Sequence, residues 1–215
     1  LFRSEPRSKS ETLSETTKTH LIECFISAKY GREKDMQNRY LTKGTEVEED
    51  SMTLLSLNTK TFYTKNKELF KNDFIKGTPD IIHSGTVYDI KSSWDIFTFW
   101  KSKTSKIDND YWWQLQGYME LTDCESAKLV YCLVDTPAHL IEDEKRKLFW
   151  KMGIIDDSKP EYIAASDELA RLMTYEDIPM QERIHIFEIQ RDREAIERLN
   201  ERIVDCRAFM NGIVV

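Results

Sequence analysis

No apolar run in this chain approaches the roughly 18 residues that a helix needs to cross a bilayer, so no membrane-spanning helix is expected. The first forty residues are polar with one amphipathic stretch and do not read as a signal peptide. The four cysteines, Cys24, Cys124, Cys132 and Cys206, lie far apart with no CxxC spacing. That argues against a zinc site or an iron–sulfur cluster and suits reduced thiols in a cytoplasmic protein. His20, His83, His139 and His185 form no HxH or HExxH pattern, so structural roles are expected for each. There is no internal repeat and no low-complexity tract. Positive charge is not in excess either: 31 Lys and Arg stand against 38 Asp and Glu, a formal net charge of −7. A protein that grips nucleic acid by charge alone would be basic. A DNA-binding role here would need a local basic surface and metal ions.

What is present suits one α/β (α+β layered) domain over residues 1–215, with 40% hydrophobic residues available for a core. Residues 1–15, rich in Ser, Glu, Lys and Arg, are expected to form a frayed arm. From Glu15 to Tyr30 the spacing predicts a helix with Leu21, Cys24, Phe25 and Ala28 on one face, ended by Gly31. A second helix is expected in GTEVEEDSMTLLSL, a short one in DIFTFWK, and a longer one in NDYWWQLQGYMELT capped by Asn109 or Asp110. Residues 126–135 and 183–190 read as strands. Between them, after Pro137, residues 138–180 read as a helical insertion of two helices. The last segment reads as a helix with Ile196, Leu199, Ile203 and Cys206 in an apolar stripe.

The chemistry concentrates in KGTPDIIHSGTVYDIKSSW, residues 76–94, which reads as two strands folded back at Ser84-Gly85. That turn would pair His83 with Thr86, Ile82 with Val87, Ile81 with Tyr88, and Asp80 with Asp89. Directly opposed carboxylates, with Cβ atoms about 4.5–5.5 Å apart, repel. A divalent cation between them removes the conflict, and Mg²⁺ favours a few carboxylate oxygens completed by water and substrate phosphate. Pro79 cannot donate to a ladder, which predicts a break in pairing beside Asp80. Lys91 shares a face with Asp89, while Tyr88 and Ile90 point oppositely into a core. Glu48 borders the buried face of its helix through Met52 and Leu55. Gln114 and Tyr118 lie one turn apart on a face shared with Gly117, where a backbone or substrate could approach closely.

Together these pieces resemble the PD-(D/E)XK nuclease superfamily, particularly its phage lambda exonuclease/YqaJ branch. KGTEVEEDSMTLL is similar to the branch's acidic helix with Glu48, GTPD supplies Asp80, DIK supplies Asp89 and Lys91, and QLQGY resembles the QxxxY motif through Gln114 and Tyr118. HIFEIQRDREAIERL is similar to the closing strand and helix. The resemblance runs from about Gly44 to the end, interrupted at 138–180. It implies a restriction-endonuclease-like core, a mixed sheet flanked by helices. It also implies a deoxyribonuclease dependent on Mg²⁺ or Mn²⁺, an exonuclease on DNA ends in recombination or repair. Asp80, Asp89, the Ile90 backbone carbonyl and Glu48 would hold metal, Lys91 would serve the attacking water, and Gln114 and Tyr118 would position substrate or nucleophile. DNA, a single-strand annealing protein and further copies of the chain, a trimer ahead of a dimer, are the implied partners. The branch's early Arg-x-x-Gly-x-x-x-Ser segment, which helps hold a 5′-phosphate, has no counterpart beyond YGREKD around Arg32. A catalytically silent DNA-binding or assembly protein on the same fold, and a site-specific endonuclease, remain as alternatives.

Overall fold

The computed structural model describes residues 11–33 and 38–213. Most of the expected arm, residues 1–10, lies outside them. Its end is anchored: Leu13 is buried with Leu21 and Cys206, and the Ser14 hydroxyl accepts the Thr17 amide at 3.2 Å. That cap starts α1 (Glu15–Tyr30). Only Leu21 of the predicted stripe is buried; Cys24 and Ala28 face solvent, because α1 meets its partner helix through its first half alone.

The acidic segment predicted as one helix is two, α2 (Arg39–Glu46) and α3 (Glu48–Thr59), with buried Val47 at the corner. The corner puts Glu48, Glu49 and Asp50 in the first turn of α3, where the positive end of the helix dipole favours them. A small ribbon of β1 (Phe70–Lys71) and β2 (Lys76–Gly77) follows, which the sequence pattern had not separated from the hairpin. The hairpin itself is β3 (Ile81–His83) and β4 (Thr86–Ser92), in the predicted register for Ile81, Ile82 and His83, while the expected Asp80–Asp89 pair lies beyond the end of the ladder. Ser84 and Gly85 have φ of 49° and 74°, the pair of positive angles a tight two-residue turn requires.

Next come α4 (Ile96–Thr104) and α5 (Asn109–Thr122), the latter capped by Asp108, one residue before the predicted cap. β5 (Ser126–Cys132) pairs parallel to β4 through this helical crossover. α6 (Ala138–Met152) and α7 (Pro160–Arg171) precede β6 (Ile184–Gln190), antiparallel to β5, and α8 (Arg193–Asn211) closes the chain. The sheet order β3-β4-β5-β6 is mixed, with helices on both faces, as the α/β expectation required. Tyr88, Val130 and Cys132 pack under α3, whereas Val87, Ala127 and Leu129 pack under α5. The α8 stripe of Ile196, Leu199, Ile203 and Cys206 is buried as predicted. α6 leans on α2 through Arg39 and Glu144 at 2.8 Å. Among the described residues no helix is long and apolar enough to cross a membrane.

One buried charge braces this frame. Lys43 has 0% of its surface exposed; its Nζ donates to the Trp94 carbonyl at 2.9 Å and lies between the Trp94 and Tyr175 rings. Burial pulls its pKa down to about 8, against the opposing pull of Asp135 and Asp95. The folded chain thus holds this proton less tightly than the unfolded chain, whose value is near 10.5. Keeping the ammonium charged costs stability below about pH 8, and that cost fades as pH rises toward 10.5. Lys43→Met, which fills the cage without a charge, should therefore melt several degrees above the wild type at pH 7 and lose that lead by pH 10. Thermal melts at the two pH values check this; an equal difference at both would remove the charge from the explanation.

Candidate active site

The predicted break beside Pro79 is present, and it builds the site. β3 stops pairing with β4 at Tyr88, so the β3-facing amide of Ile90 lies past the end of the ladder. Asp80 takes it: its Oδ2 accepts the Ile90 N–H at 2.7 Å. In a strand a residue's N–H and C=O leave toward the same neighbour. The Ile90 carbonyl therefore faces the Asp80 side as well. The Asp80 backbone is stitched in turn to the preceding loop, its carbonyl accepting the Asn66 amide at 2.7 Å while Asn66 Nδ2 donates to Pro79 at 3.0 Å.

Asp89, on the face of β4 beneath α5, is 2% exposed. Lys91 Nζ lies 2.6 Å from Asp89 Oδ2 and 4.8 Å from the centre of the Tyr111 ring. Asp89 Oδ2 is buried, and the Lys91 ammonium is the cation that faces it. Burial pushes the Asp80 carboxyl up to about 6, and the charges of Asp89 and Glu48 add to the rise. Burial also raises Asp89, against the pull of Lys91. At Lys91 burial favours the neutral amine, but the Asp89 carboxylate outweighs it and holds the ammonium above its ordinary pKa.

Gln114 Nε2 donates to the Tyr118 hydroxyl at 2.9 Å. Burial raises the Tyr118 phenol, and Asp89 and Asp80 raise it further, so it stands within reach of their charge. The glycine that permits close approach is Gly77 rather than Gly117. A Cβ on Gly77 would lie 2.6 Å from the Tyr118 ring, whereas one on Gly117 would meet Ile75 at 3.4 Å, within the protein. Gln114 and Tyr118 also line a cleft of about 1020 Å³ with Lys76, Trp113 and His20. The aspartates and Lys91 do not line that cleft; Tyr118 is common to both.

Glu48 stands apart from this group. It is paired with Lys65, and its charge is felt at Asp80, but among the described residues no three Asp, Glu, His or Cys side chains form a ready-made metal cage. A hard divalent cation that keeps several waters does not need one. Two aspartates and a strand-end carbonyl fit such an ion. Three contributors escaped the sequence reading. Lys65 carried no signal, being a loop residue far from Glu48 in the chain. Tyr111 was legible, three and seven residues before Gln114 and Tyr118 on one helical face. Gln116, fully buried, donates to the Gln190 carbonyl at 2.9 Å and accepts the Asp192 amide at 2.8 Å, which orients α5. Of the weak phosphate-segment candidate, residues 34–37 lie outside the described residues and Arg32 is exposed.

No family model and no curated protein sequence matches the chain. Solved structures do. A phage-related exonuclease from Haemophilus somnus 129PT is 27% identical, with a TM-score of 0.74 over 97% of this chain and 88% of that one. The alkaline exonuclease LHK-Exo from Laribacter hongkongensis is 15% identical, with a TM-score of 0.63 over 93% and 83%. Its complex with dAMP is 17% identical, with a TM-score of 0.59 over 90% and 79%. The resemblance to the lambda exonuclease/YqaJ branch of the PD-(D/E)XK superfamily is thereby borne out, and with it the nuclease-like α/β fold.

The carboxyl group of Asp80 makes a pH signature. Its folded pKa of about 6 exceeds the ordinary 3.8, so the folded chain holds the proton more tightly. The contribution of Asp80 to stability is most favourable below 3.8, falls as pH rises through 3.8 to 6, and stays lowered above. In EDTA, Asp80→Asn should melt several degrees above wild type at pH 8, with no lead near pH 4. Added Mg²⁺ should raise the wild-type melting temperature at pH 8 and less at pH 5, where protons compete. A wild type indifferent to Mg²⁺ and Mn²⁺ at both pH values would rule out a metal site on the hairpin.

Proposed function

We propose that this chain is a divalent-metal-dependent deoxyribonuclease, an exonuclease acting on the ends of double-stranded DNA in phage-type recombination or repair, in the cytoplasm of a bacterial or phage-infected cell. The observation that carries the reading is Asp80, turned by the Ile90 amide to stand beside Asp89 and Lys91 on a hairpin edge. The likeness to solved exonucleases supports a nuclease, and the dAMP held by LHK-Exo is a deoxyribonucleotide.

Asp80, Asp89 and the Ile90 carbonyl would hold Mg²⁺ or Mn²⁺, with Glu48 completing the site once released from Lys65. Such an ion supplies a water of lowered pKa and neutralises charge growing on the scissile phosphate. Lys91, kept protonated by Asp89 and braced on Tyr111, orients the attacking water and donates to developing negative charge. Gln114 and Tyr118 position the substrate strand, with Gly77 giving Tyr118 room to lie flat. Enclosure of DNA by a homo-oligomer, a trimer ahead of a dimer, would keep an acidic subunit on its substrate where charge alone would release it in moderate salt.

Asp89→Asn should lose cleavage with its fold intact. Lys91→Ala should keep its Mg²⁺-induced stabilisation while turnover drops by orders of magnitude, read in single-turnover digestion of linear duplex. Near wild-type turnover in Lys91→Ala would remove the lysine from the mechanism. Linear and nicked-circular duplexes, each with and without a 5′-phosphate, separate end-directed from internal cleavage and test the phosphate requirement. Cleavage of closed or nicked circles at the linear rate would make the enzyme an endonuclease. Light scattering at micromolar protein, with a DNA trap added after initiation, tests enclosure; a monomer whose digestion stops at once on trapping has no ring.

A further inference from the structure

α4 leaves β4 four residues after Ser92 and presents an unusual outer face. Its start is fixed by a reciprocal cap, in which the Asp95 carboxylate accepts the Thr98 amide at 2.7 Å and the Asp95 amide donates to the Thr98 hydroxyl at 3.1 Å. Its inner face is anchored by Phe99, fully buried against Leu133 and Tyr175. The outer face carries Phe97, 69% exposed, and Trp100, 52% exposed, one helical turn apart. Lys101 and Lys106 lie exposed beside them. Lys103 donates to the Glu182 carbonyl at 2.9 Å and sits 4.9 Å from the Trp100 ring centre, which fixes the indole and occupies one of its faces. From Ile96 to Ile107 there are three lysines and no acidic residue, in a chain of net charge −7. The inner anchor of α4, not its outer face, is linked to the candidate active site: Lys91 rests on Tyr111, Tyr111 meets Tyr131 at 6.4 Å, and Tyr131 packs on the cluster around Phe99.

Two rigid exposed rings flanked by cations suit one kind of occupant. Bases stack on aromatic side chains only where they are unpaired, and the accompanying phosphates want lysine without competing carboxylate. Ring-bearing residues three apart on a helix have Cβ atoms about 5–6 Å apart, a spacing two successive unstacked bases can span. We infer that the outer face of α4, Phe97, Trp100 and Lys101, together with Lys106 just past its end, is a stacking platform for single-stranded DNA. The inference rests on the proposed function, because end-wise removal of one strand of a duplex is what leaves the other strand unpaired.

The test uses the full chain in EDTA, with fluorescence anisotropy of a labelled oligothymidylate and of a duplex closed by hairpins at both ends. Phe97→Ala with Trp100→Ala should weaken oligothymidylate binding about tenfold or more and leave the closed duplex unaffected. Trp100→Phe, which keeps a ring, should retain most of the affinity. Lys101→Gln should flatten the salt dependence of oligothymidylate binding by about 0.7 in the log–log slope, the loss of one phosphate contact. Unchanged oligothymidylate affinity in the double variant overturns the platform. So does an equal loss for single strand and duplex, or a change of mass by light scattering, which would make α4 a contact between copies. A wild type that digests linear duplex and is stabilised by Mg²⁺ but does not bind oligothymidylate loses the platform alone. A wild type that does neither loses the nuclease reading with it.

Discussion

The hydrogen bond between the Asp80 carboxylate and the Ile90 amide is the contact on which the site depends. Pro79 offers no N–H, β3 stops pairing at Tyr88, and the next amide of β4 on that edge needs an acceptor. Asp80 provides it with a side chain rather than a backbone carbonyl. A short strand is thus finished without an unsatisfied amide, and a carboxylate is drawn into a partly desolvated notch beside a second, buried one. Each disfavours the charge of the other. The backbone requirement and the electrostatic tension have the same origin, and the proposed divalent cation would relieve the tension.

The surrounding elements hold this edge in place from several directions. The loop before it is tied to Asp80 by Asn66, and the adjacent Lys65 reaches Glu48, so one short segment touches both acidic contributors. α3 is joined to β4 by the 2.8 Å contact between the Ser51 and Ser92 hydroxyls, one turn along from Glu48. Lys43 secures the chain just beyond β4 through the Trp94 carbonyl. On the opposite face Gln116 locks α5 to the start of α8, and the same helix sets Tyr118 and Tyr111 beside the aspartates and Lys91. Few of these braces are ion pairs in water. Most are partly buried hydrogen bonds, and losing one partner leaves the other partly desolvated.

Charge is distributed unevenly enough to reconcile an acidic chain with a polyanionic substrate. Much of the negative charge lies on exposed helical faces, as at Glu46, Glu49 and Asp50, and at Glu142 of α6. Lysines gather where a strand of nucleic acid would pass: Lys65 and Lys91 at the carboxylates, Lys76 at the cleft, Lys101 on α4 and Lys106 just past its end. At physiological ionic strength, with a Debye length of about 8 Å, these local fields matter more than the total.

The types and order of the major elements followed from sequence alone, because each is set by neighbours within a few residues. α1, α6 and the hairpin register matched their patterns closely, and Asp80, Asp89, Lys91, Gln114 and Tyr118 could be named because their motifs are local. The boundaries that failed were those decided by packing. Val47 divides the acidic helix because its side chain is buried at a corner, and α1 leaves Cys24 and Ala28 in solvent because only its first half meets α8. The pairing of Lys65 with Glu48, the acceptance of the Ile90 amide by Asp80 and the packing of Tyr118 on Gly77 join segments 10 to 41 residues apart in the chain. No local pattern encodes such distances. Residue chemistry determined which groups were available; the end of the β3 ladder and the tilt of α5 decided which of them meet.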